Sequence, residues 1–482
     1  MHNPNYKLPA YFTAEEPKLS FHPERAADTD IHPLRGLLRF GPYGQNTMAS
    51  VRGPIRVSII CPKGHVAKVK QFIAGLDEKY STLHKKEYTP DFPGMVSAFR
   101  VNAVVEEHLT YEVDYDLKRI DSSAEPHLVF AETLTASVRT FANQRHNFDI
   151  LIIYLPDIYE KYFTNTETGF DLHDFVKAES ANNEIITQFI RDKALNAQCK
   201  STNYWNLALA IYTKVGGVPW KLSASEENVA FMGISYSVRK NTEIRDGKPR
   251  FVTCCSQVFD SAGRGLEFVA FEAQPKSFFG DNPFLDREQM GKLITRGLEI
   301  YRSHNGEPPK RLVIYKTSEF RRDEIDGCFD VWGKNENLEL VSINQNTPWR
   351  GMLRQRMANN PKKTQAAFYP VQRGTFMPID EYDLLLWTQG SVNNISAGGK
   401  SFYREARGIP EPLHLTRHGG HGPWNDIANY TLALTKMNWN NSGLYDQLPA
   451  TLLVSSKLAK FVKHMPSVSH LVNHKYDLRF FL

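Results

Sequence analysis

The sequence has few cysteines and lacks a long apolar run. Its five cysteines, among 482 residues, are scattered and form no CxxC pair, so neither a disulfide framework nor a zinc ribbon is expected. No stretch approaches the roughly 18 apolar residues that cross a bilayer, and the first residues lack the basic and apolar segments of a secretory signal. These absences predict a protein of a reducing, cytoplasmic compartment without membrane contact.

Excess charge of one sign is also lacking. Lysine and arginine total 58 against 53 aspartate and glutamate residues, which leaves a net charge of +5. This balance does not by itself indicate nucleic-acid binding, although a mildly basic protein can concentrate its cations in one channel. The hydrophobic share of 41% and the charged share of 23% are close to globular averages and argue against wholesale disorder.

The first half of the chain alternates apolar runs with helical patterns. Residues 1–53 are rich in proline, glycine and histidine and predict an extended arm that could dock a partner. Short apolar runs at 55–61 and 148–154, separated by apolar residues at helical spacing, predict a parallel α/β sheet. The apolar residues between 185 and 190 predict a further helix. Glycine and proline at 216–220 indicate a domain boundary.

The second half is dense in strand patterns. Strands are expected at 228–238, 250–259, 265–272, 311–316, 338–343, 365–371 and 384–388, and helices at 290–301, 427–437 and 455–464. This order is compatible with an RNase H-like sheet and also with other α/β folds. The predicted organisation is an arm (1–53), a first α/β domain (54–220) and a second (221–482).

A candidate anion site lies between residues 173 and 220. His173 and Lys177 are four residues apart and would share one helix face, and Gln188 and Lys214 could approach them from neighbouring elements. A cation, amide donors and a helix terminus in one concave pocket suit a terminal phosphate. The same spacing is also typical of a solvated helix face, so both interpretations stay open.

Longer motifs resemble a known family. The run from Asn206 to Trp220 resembles the junction of the MID and PIWI domains of Argonaute proteins, and 173–188 resembles the MID pocket. The opening run 32–43 and the tail 434–451 resemble the short prokaryotic Argonautes, which consist of MID and PIWI only. The resemblance implies a Rossmann-like MID domain followed by an RNase H-like PIWI domain.

The resemblance also implies a binding site. The family holds the 5′-phosphate of a guide strand through residues that correspond to His173, Lys177, Gln188, Asn206 and Lys214. In many prokaryotic members Mg²⁺ joins this phosphate to the C-terminal carboxylate, here that of Leu482, with Gln188 beside it. Two positions depart from the family pattern, since His173 replaces the commoner tyrosine and Ala210 replaces a lysine or glutamine.

The catalytic carboxylates of a slicing PIWI domain are expected to be missing. The resemblance places Ser235, Thr317 and Asn438 where the family carries acidic or histidine metal ligands. Neutral hydroxyls and amides do not hold two divalent ions against water. The chain is therefore expected to bind a duplex without cutting it.

The implied function is target sensing. A short guide RNA would pair with single-stranded target DNA, and the paired state would activate a partner protein with an APAZ domain linked to a TIR, sirtuin or nuclease effector. The complex would be a heterodimer that oligomerises on activation and acts against plasmids and phages. Arg350, Arg354 and Arg417 are candidates for contacts with the nucleic-acid backbone, although charged runs are as often solvated.

Two alternatives stay open. The chain could be a metal-dependent nuclease that uses displaced acids, with Glu267, Glu319 and Asp323 as candidates. It could also be an α/β protein-interaction module that binds no nucleic acid.

Overall fold

A computed structural model describes most of the chain. The described residues are 9–44, 51–223, 228–239, 250–255, 260, 262–263, 267–273, 277–279, 282–333, 337–393, 395, 403, 408–462 and 476–480. Within them, no helix combines the length and apolar character needed to cross a membrane.

The described part of the N-terminal arm packs against the rest of the chain. It comprises β1 (Phe12–Thr13), β2 (Leu19–Ser20), β3 (Thr29–Asp30) and α1 (Pro33–Phe40). Helix α1 begins after His32, whose side chain accepts a hydrogen bond from the Arg35 amide, and it has Pro33 in its first turn. The carboxylate of Glu16 forms ion pairs with the buried Arg373 and Lys436. Although burial opposes ionisation, these two cations lower the pKa of Glu16.

The first α/β unit is built on a four-stranded parallel sheet with strand order β5-β4-β6-β9. Its elements are β4 (Ile55–Pro62), α2 (Val66–Ala74), α3 (Met95–Phe99), β5 (Ala103–Val113), α4 (Leu117–Asp121), α5 (Pro126–Arg139), β6 (Ile150–Leu155), β7 (Thr164–Asn165), β8 (Phe170–Asp171), α6 (Leu172–Asn182), β9 (Thr187–Arg191), α7 (Asp192–Leu195) and α8 (Lys200–Lys214). The apolar runs at 55–61 and 148–154 form the buried central strands, as predicted. The helix expected at 185–190 is wrong, because Thr187–Arg191 pairs beside β6 as the edge strand.

The second unit contains a ten-stranded mixed sheet. Its elements are β10 (Lys221–Leu222), β11 (Val229–Arg239), β12 (Arg250–Cys255), β13 (Glu267–Ala273), β14 (Ser277–Phe279), β15 (Asn282–Phe284), α9 (Arg287–Asn305), β16 (Arg311–Lys316), α10 (Arg322–Trp332), β17 (Leu338–Asn344), β18 (Arg354–Met357), β19 (Asn360–Ala366), β20 (Thr375–Pro378), β21 (Asp383–Leu386), β22 (Leu413–Gly419), α11 (Trp424–Leu434), α12 (Ala450–Val462) and β23 (Tyr476–Asp477). The strand order is β1-β20-β21-β22-β17-β16-β11-β12-β13-β23, with β11, β16 and β17 parallel. The strand expected at 365–371 lies earlier, at β19.

The two units share a continuous core. Helix α8 ends before Gly216, which adopts a φ of 97° in the left-handed region that favours glycine. A few residues on, the indole of Trp220 is buried and donates a hydrogen bond to the Lys436 carbonyl. Helix α12 of the second unit packs on β11 and also against α6 of the first unit. This packing places side chains of α12 beside the site described next.

Candidate functional site

A group of buried cations lies where α6, β9 and α8 meet α12. Helix α6 begins at Asp171, whose side chain accepts a hydrogen bond from the Asp174 amide. This start puts His173 and Lys177 one turn apart on one face of the helix. The ring of Phe461, on α12, lies 6.0 Å from the His173 ring centroid and 5.3 Å from the Lys177 Nζ atom. The site is therefore shared between the two units.

Lys214 is the best-defined member of the site. Only 2% of the residue is exposed, and its Nζ atom donates to the Thr187 carbonyl at 2.8 Å and to Gln188 Oε1 at 2.6 Å. Both partners are neutral. Burial, with the nearby charges of Lys177 and Lys457, holds the pKa of Lys214 well below its ordinary value. The structure thus joins Lys214 to Gln188, a pairing across 26 residues of chain.

Lys177 is buried in the same way, with 4% of the residue exposed. Burial, together with the charge of Lys457, lowers its pKa to about 7, and Asp174 opposes the shift. A buried ammonium group is costly unless an anion compensates it. The pocket is consequently suited to an anionic ligand.

Lys457 was missed by the sequence analysis. It is half-buried on α12, one turn before Phe461, and burial lowers its pKa. It influences the pKa of both Lys177 and Lys214, yet more than 240 residues separate it from either along the chain. No local sequence pattern predicts that Lys457 lies beside these lysines, because only the packing of α12 on α6 brings it there.

His173 lies at the rim of the site. Its side chain is 45% exposed, its ring centroid is 5.0 Å from that of Phe189, and its Nδ1 atom is 3.1 Å from a carboxylate oxygen of Asp174. Asp171, His173 and Asp174 have ligand atoms within 4.8 Å of one another. Burial lowers the pKa of His173, as do the neighbouring Lys177 and Lys214 charges. An exposed aromatic face beside buried cations could stack on a planar group of the ligand.

Asn206 does not join this group. It lies two turns before Lys214 on α8, is exposed, and accepts a hydrogen bond from the Ser442 amide at 3.1 Å. It lines a different cleft, of about 480 Å³, between α8 and residues 441–448. Among the described contacts, none connects Asn206 with Lys177, Gln188 or Lys214, and its expected role as a phosphate ligand stays a prediction.

The oxygens beside the buried lysines do not suit Mg²⁺. Gln188 Oε1 already accepts a hydrogen bond from Lys214, and the surrounding ammonium groups repel a cation. Carboxylates that could hold a metal ion, those of Asp171 and Asp174, lie beside His173 at the rim. Leu482 lies outside the described residues. The segment Leu478–Phe480 contacts α6 and α8. The Mg²⁺ expectation stays a prediction.

The positions expected to have lost catalytic acids lie partly together. Ser235 is buried, and Thr317 is its exposed neighbour in the parallel register that pairs Ile234 with Lys316. Across from Ser235, the hydroxyl of Ser455 on α12 is 2.8 Å away. Asn438 is elsewhere and donates to Asp446 at 2.8 Å, so the residue opposite Ser235 is Ser455 and not Asn438.

The other charged side chains near Ser235 and Thr317 are compensated or exposed. Lys316 and Glu324 form a fully buried ion pair at 2.8 Å, to which the Tyr236 hydroxyl donates a further hydrogen bond. Glu319 and Asp323 are exposed, and the side chain of Glu267 lies outside the described part. In the described geometry, Glu324 is the acid at this edge that is buried, and Lys316 already neutralises it.

The three arginines expected to contact a nucleic-acid backbone differ in environment. Arg417 is 9% exposed, pairs with Glu339 at 2.9 Å and stacks over Trp424. This side chain is held by partners within the protein, and its expected contact with a nucleic-acid backbone stays a prediction. Arg350 is partly exposed and paired with Glu411. Arg354 is exposed on β18.

The fold and the site together define a class: a parallel-sheet α/β unit joined to a larger α/β unit, with a cationic pocket at their junction. Over 324 residues the chain is 26% identical to the Argonaute protein of Aquifex aeolicus, covering 66% of this chain and 39% of that protein. Over 203 residues it is 22% identical to the Argonaute of Thermus thermophilus, covering 41% of this chain and 25% of that protein. No family model matches the chain.

Solved structures agree with these relatives. The chain superposes on Clostridium butyricum Argonaute, bound to a guide DNA and a 19-mer target DNA, with a TM-score of 0.65 and 16% identity. It superposes on Aquifex aeolicus Argonaute with a TM-score of 0.58 and 18% identity. Each match covers 98% of this chain, but 55% and 57% of those chains, so this chain spans about half their length. The chain is thus similar in sequence to the Argonaute proteins of Aquifex aeolicus and Thermus thermophilus, and its α/β units match a MID–PIWI architecture in fold, as predicted.

Proposed function

We propose that this chain binds the 5′-phosphate of a short guide RNA in the pocket formed by Lys177, Gln188, Lys214 and Lys457. The observation that carries the proposal is the burial of Lys177 and Lys214 beside a third ammonium group, with neutral partners on Lys214. A phosphate dianion would compensate these charges and accept hydrogen bonds from them. Binding would restore the ordinary protonation of both lysines.

The guide would then pair with single-stranded target DNA along the second unit. By resemblance to short prokaryotic Argonautes, the paired state would activate an effector protein with an APAZ domain and a TIR, sirtuin or nuclease activity, in defence against plasmids and phages. Ser235, Thr317 and the adjacent Ser455 offer hydroxyls in place of carboxylates, which supports target binding without cutting. The outward aromatic side chains of Tyr11 and Phe12 on the arm are candidates for partner docking.

The test compares 5′-phosphorylated and 5′-hydroxyl oligonucleotides. Wild-type protein is expected to prefer the phosphate at least about tenfold, since a charge-assisted hydrogen bond contributes roughly 1.5–3 kcal/mol. A Lys177→Ala/Lys214→Ala variant should lose this preference, whereas exposed Lys118→Ala on α4 should retain it. Equal affinities for both oligonucleotides in the wild type would contradict the proposal.

Magnesium is a separate part of the proposal. If Mg²⁺ contributes, EDTA should weaken binding of the phosphorylated guide and leave the hydroxyl guide unchanged. An unchanged affinity would remove the metal from the account and leave the lysine pocket intact.

A further inference from the structure

Strands β18 and β19 form a two-stranded ribbon, residues 354–366, which we call the basic ribbon. Among the described strands they pair only with each other, and nearly all their residues are exposed. Arg354 and Arg356 are two residues apart and lie on one face, and Arg356 is opposite Thr364. Lys362 and Lys363 are exposed on β19, in the stretch where the pairing register shifts. The ribbon therefore exposes four cations, of which Arg354 and Arg356 lie on one face.

The sequence around these cations is poor in acidic residues. The sequence has no aspartate or glutamate from Leu340 through Ile379. The two other arginines of this stretch are paired, Arg350 with Glu411 and Arg373 with Glu16. Within the described residues, no carboxylate forms a salt bridge with the ribbon's arginines or lysines. A row of uncompensated, exposed cations favours a polyanionic partner.

The position and surroundings of the basic ribbon point to nucleic acid. The chain enters the ribbon after β17, which ends at Asn344. Because β11, β16 and β17 are parallel, this end of β17 lies at the same edge of the sheet as Ser235 and Thr317. Near its base, Phe368 is 88% exposed and Trp349 is 48% exposed. Two-stranded ribbons fit a nucleic-acid groove, and exposed aromatic rings stack on bases.

We propose that the basic ribbon binds the sugar–phosphate backbone of the guide–target duplex, away from the guide's 5′ end. This inference rests on the proposed function, because it assumes that a guide and target are held on the chain. The contact would be insensitive to base sequence and would weaken as salt rises. It would add affinity for the paired target and none for the terminal phosphate.

The test uses the full-length Arg354→Gln/Arg356→Gln variant. The matched control is Lys118→Gln/Arg119→Gln, which removes two exposed cations from α4. For the ribbon variant we expect wild-type affinity for a 5′-phosphorylated tetranucleotide, which reaches only the pocket. Target affinity of the guide-loaded variant should fall by about tenfold, and the slope of log K against log salt should become shallower by about one to two.

Target affinity and salt slope equal to those of the control would overturn the ribbon proposal. Unchanged target affinity combined with lost association of a protein partner would also overturn it, and would assign the ribbon to a protein interface. If wild-type protein binds neither the tetranucleotide nor a guide, the proposed function itself fails. Loss of tetranucleotide binding in the ribbon variant alone would contradict the separation of the two sites.

Discussion

Replacing Lys177 with methionine is expected to stabilise the ligand-free protein while weakening guide binding. The Lys177 side chain is buried, and burial is the largest cause that lowers its pKa from 10.5 to about 7. A folded-state pKa below the unfolded value means that unfolding takes up a proton, so this lysine destabilises the fold at neutral pH. The destabilisation grows as pH falls from about 10 to about 7 and is constant below that.

The size of the expected stabilisation follows from the pKa shift of Lys177. One pKa unit corresponds to about 1.4 kcal/mol, so a shift from 10.5 to about 7 sets an upper limit of about 4 to 5 kcal/mol at neutral pH. Replacing buried charges with apolar groups of similar volume typically stabilises proteins by about 1–4 kcal/mol. Lys177→Met should therefore raise the free energy of unfolding by about 1–4 kcal/mol, since methionine is also unbranched and flexible.

The assay is urea unfolding of nucleic-acid-free protein at pH 7, paired with titration of a 5′-phosphorylated guide. The exposed Lys118→Met variant is the control, and it should change neither quantity appreciably. A Lys177→Met protein that is less stable and still binds the phosphorylated guide normally would refute the reasoning, because the lysine would then serve the fold and not a ligand.

Three further predictions concern the same pocket and the arm. Affinity for the phosphorylated guide should fall as pH rises above about 7, because the lysines must then take up protons on binding. The fall should be up to about tenfold per pH unit for each such lysine. The affinity for the hydroxyl guide, measured alongside, should not change with pH. Lys457→Gln should weaken phosphorylated-guide binding by about fivefold or more, whereas exposed Lys460→Gln on the same helix should not, and equal effects would remove α12 from the pocket. Glu16→Ala should lower the free energy of unfolding by about 3–5 kcal/mol, because it leaves Arg373 and Lys436 buried without their carboxylate; exposed Glu15→Ala is the control, and a loss below about 1 kcal/mol would contradict this assignment.

Local patterns predicted much of the fold because the central strands are buried on both faces. The run Ile150–Leu155 is continuously apolar for that reason, and Ile55–Pro62 is buried at all but one residue although it includes Arg56 and Ser58. A helix was predicted at 185–190 because the apolar residues there fit helical spacing. The segment forms a strand instead because it pairs with β6, which is remote in sequence. Local propensity cannot register such a contact.

In the candidate site, too, local sequence predicted some residues and packing alone brought in others. The one-turn spacing of His173 and Lys177 is a local property and was predictable. The approach of Gln188 and Lys214 was only one open interpretation of the residues, because their hydrogen bond depends on how β9 and α8 pack. Lys457 enters through helix packing and gave no local signal. Arg417 read as an exposed basic residue, and only the fold shows that Glu339 and Trp424 enclose it.

The account depends most on where the phosphorylated end of a guide is held. A structure of the chain with a 5′-phosphorylated oligonucleotide would locate that phosphate directly. We expect its oxygens within hydrogen-bond distance, roughly 2.7–3.2 Å, of the Nζ atoms of Lys177 and Lys214. A terminal phosphate held anywhere else on the chain, with both lysines left as they are in the free protein, would contradict it.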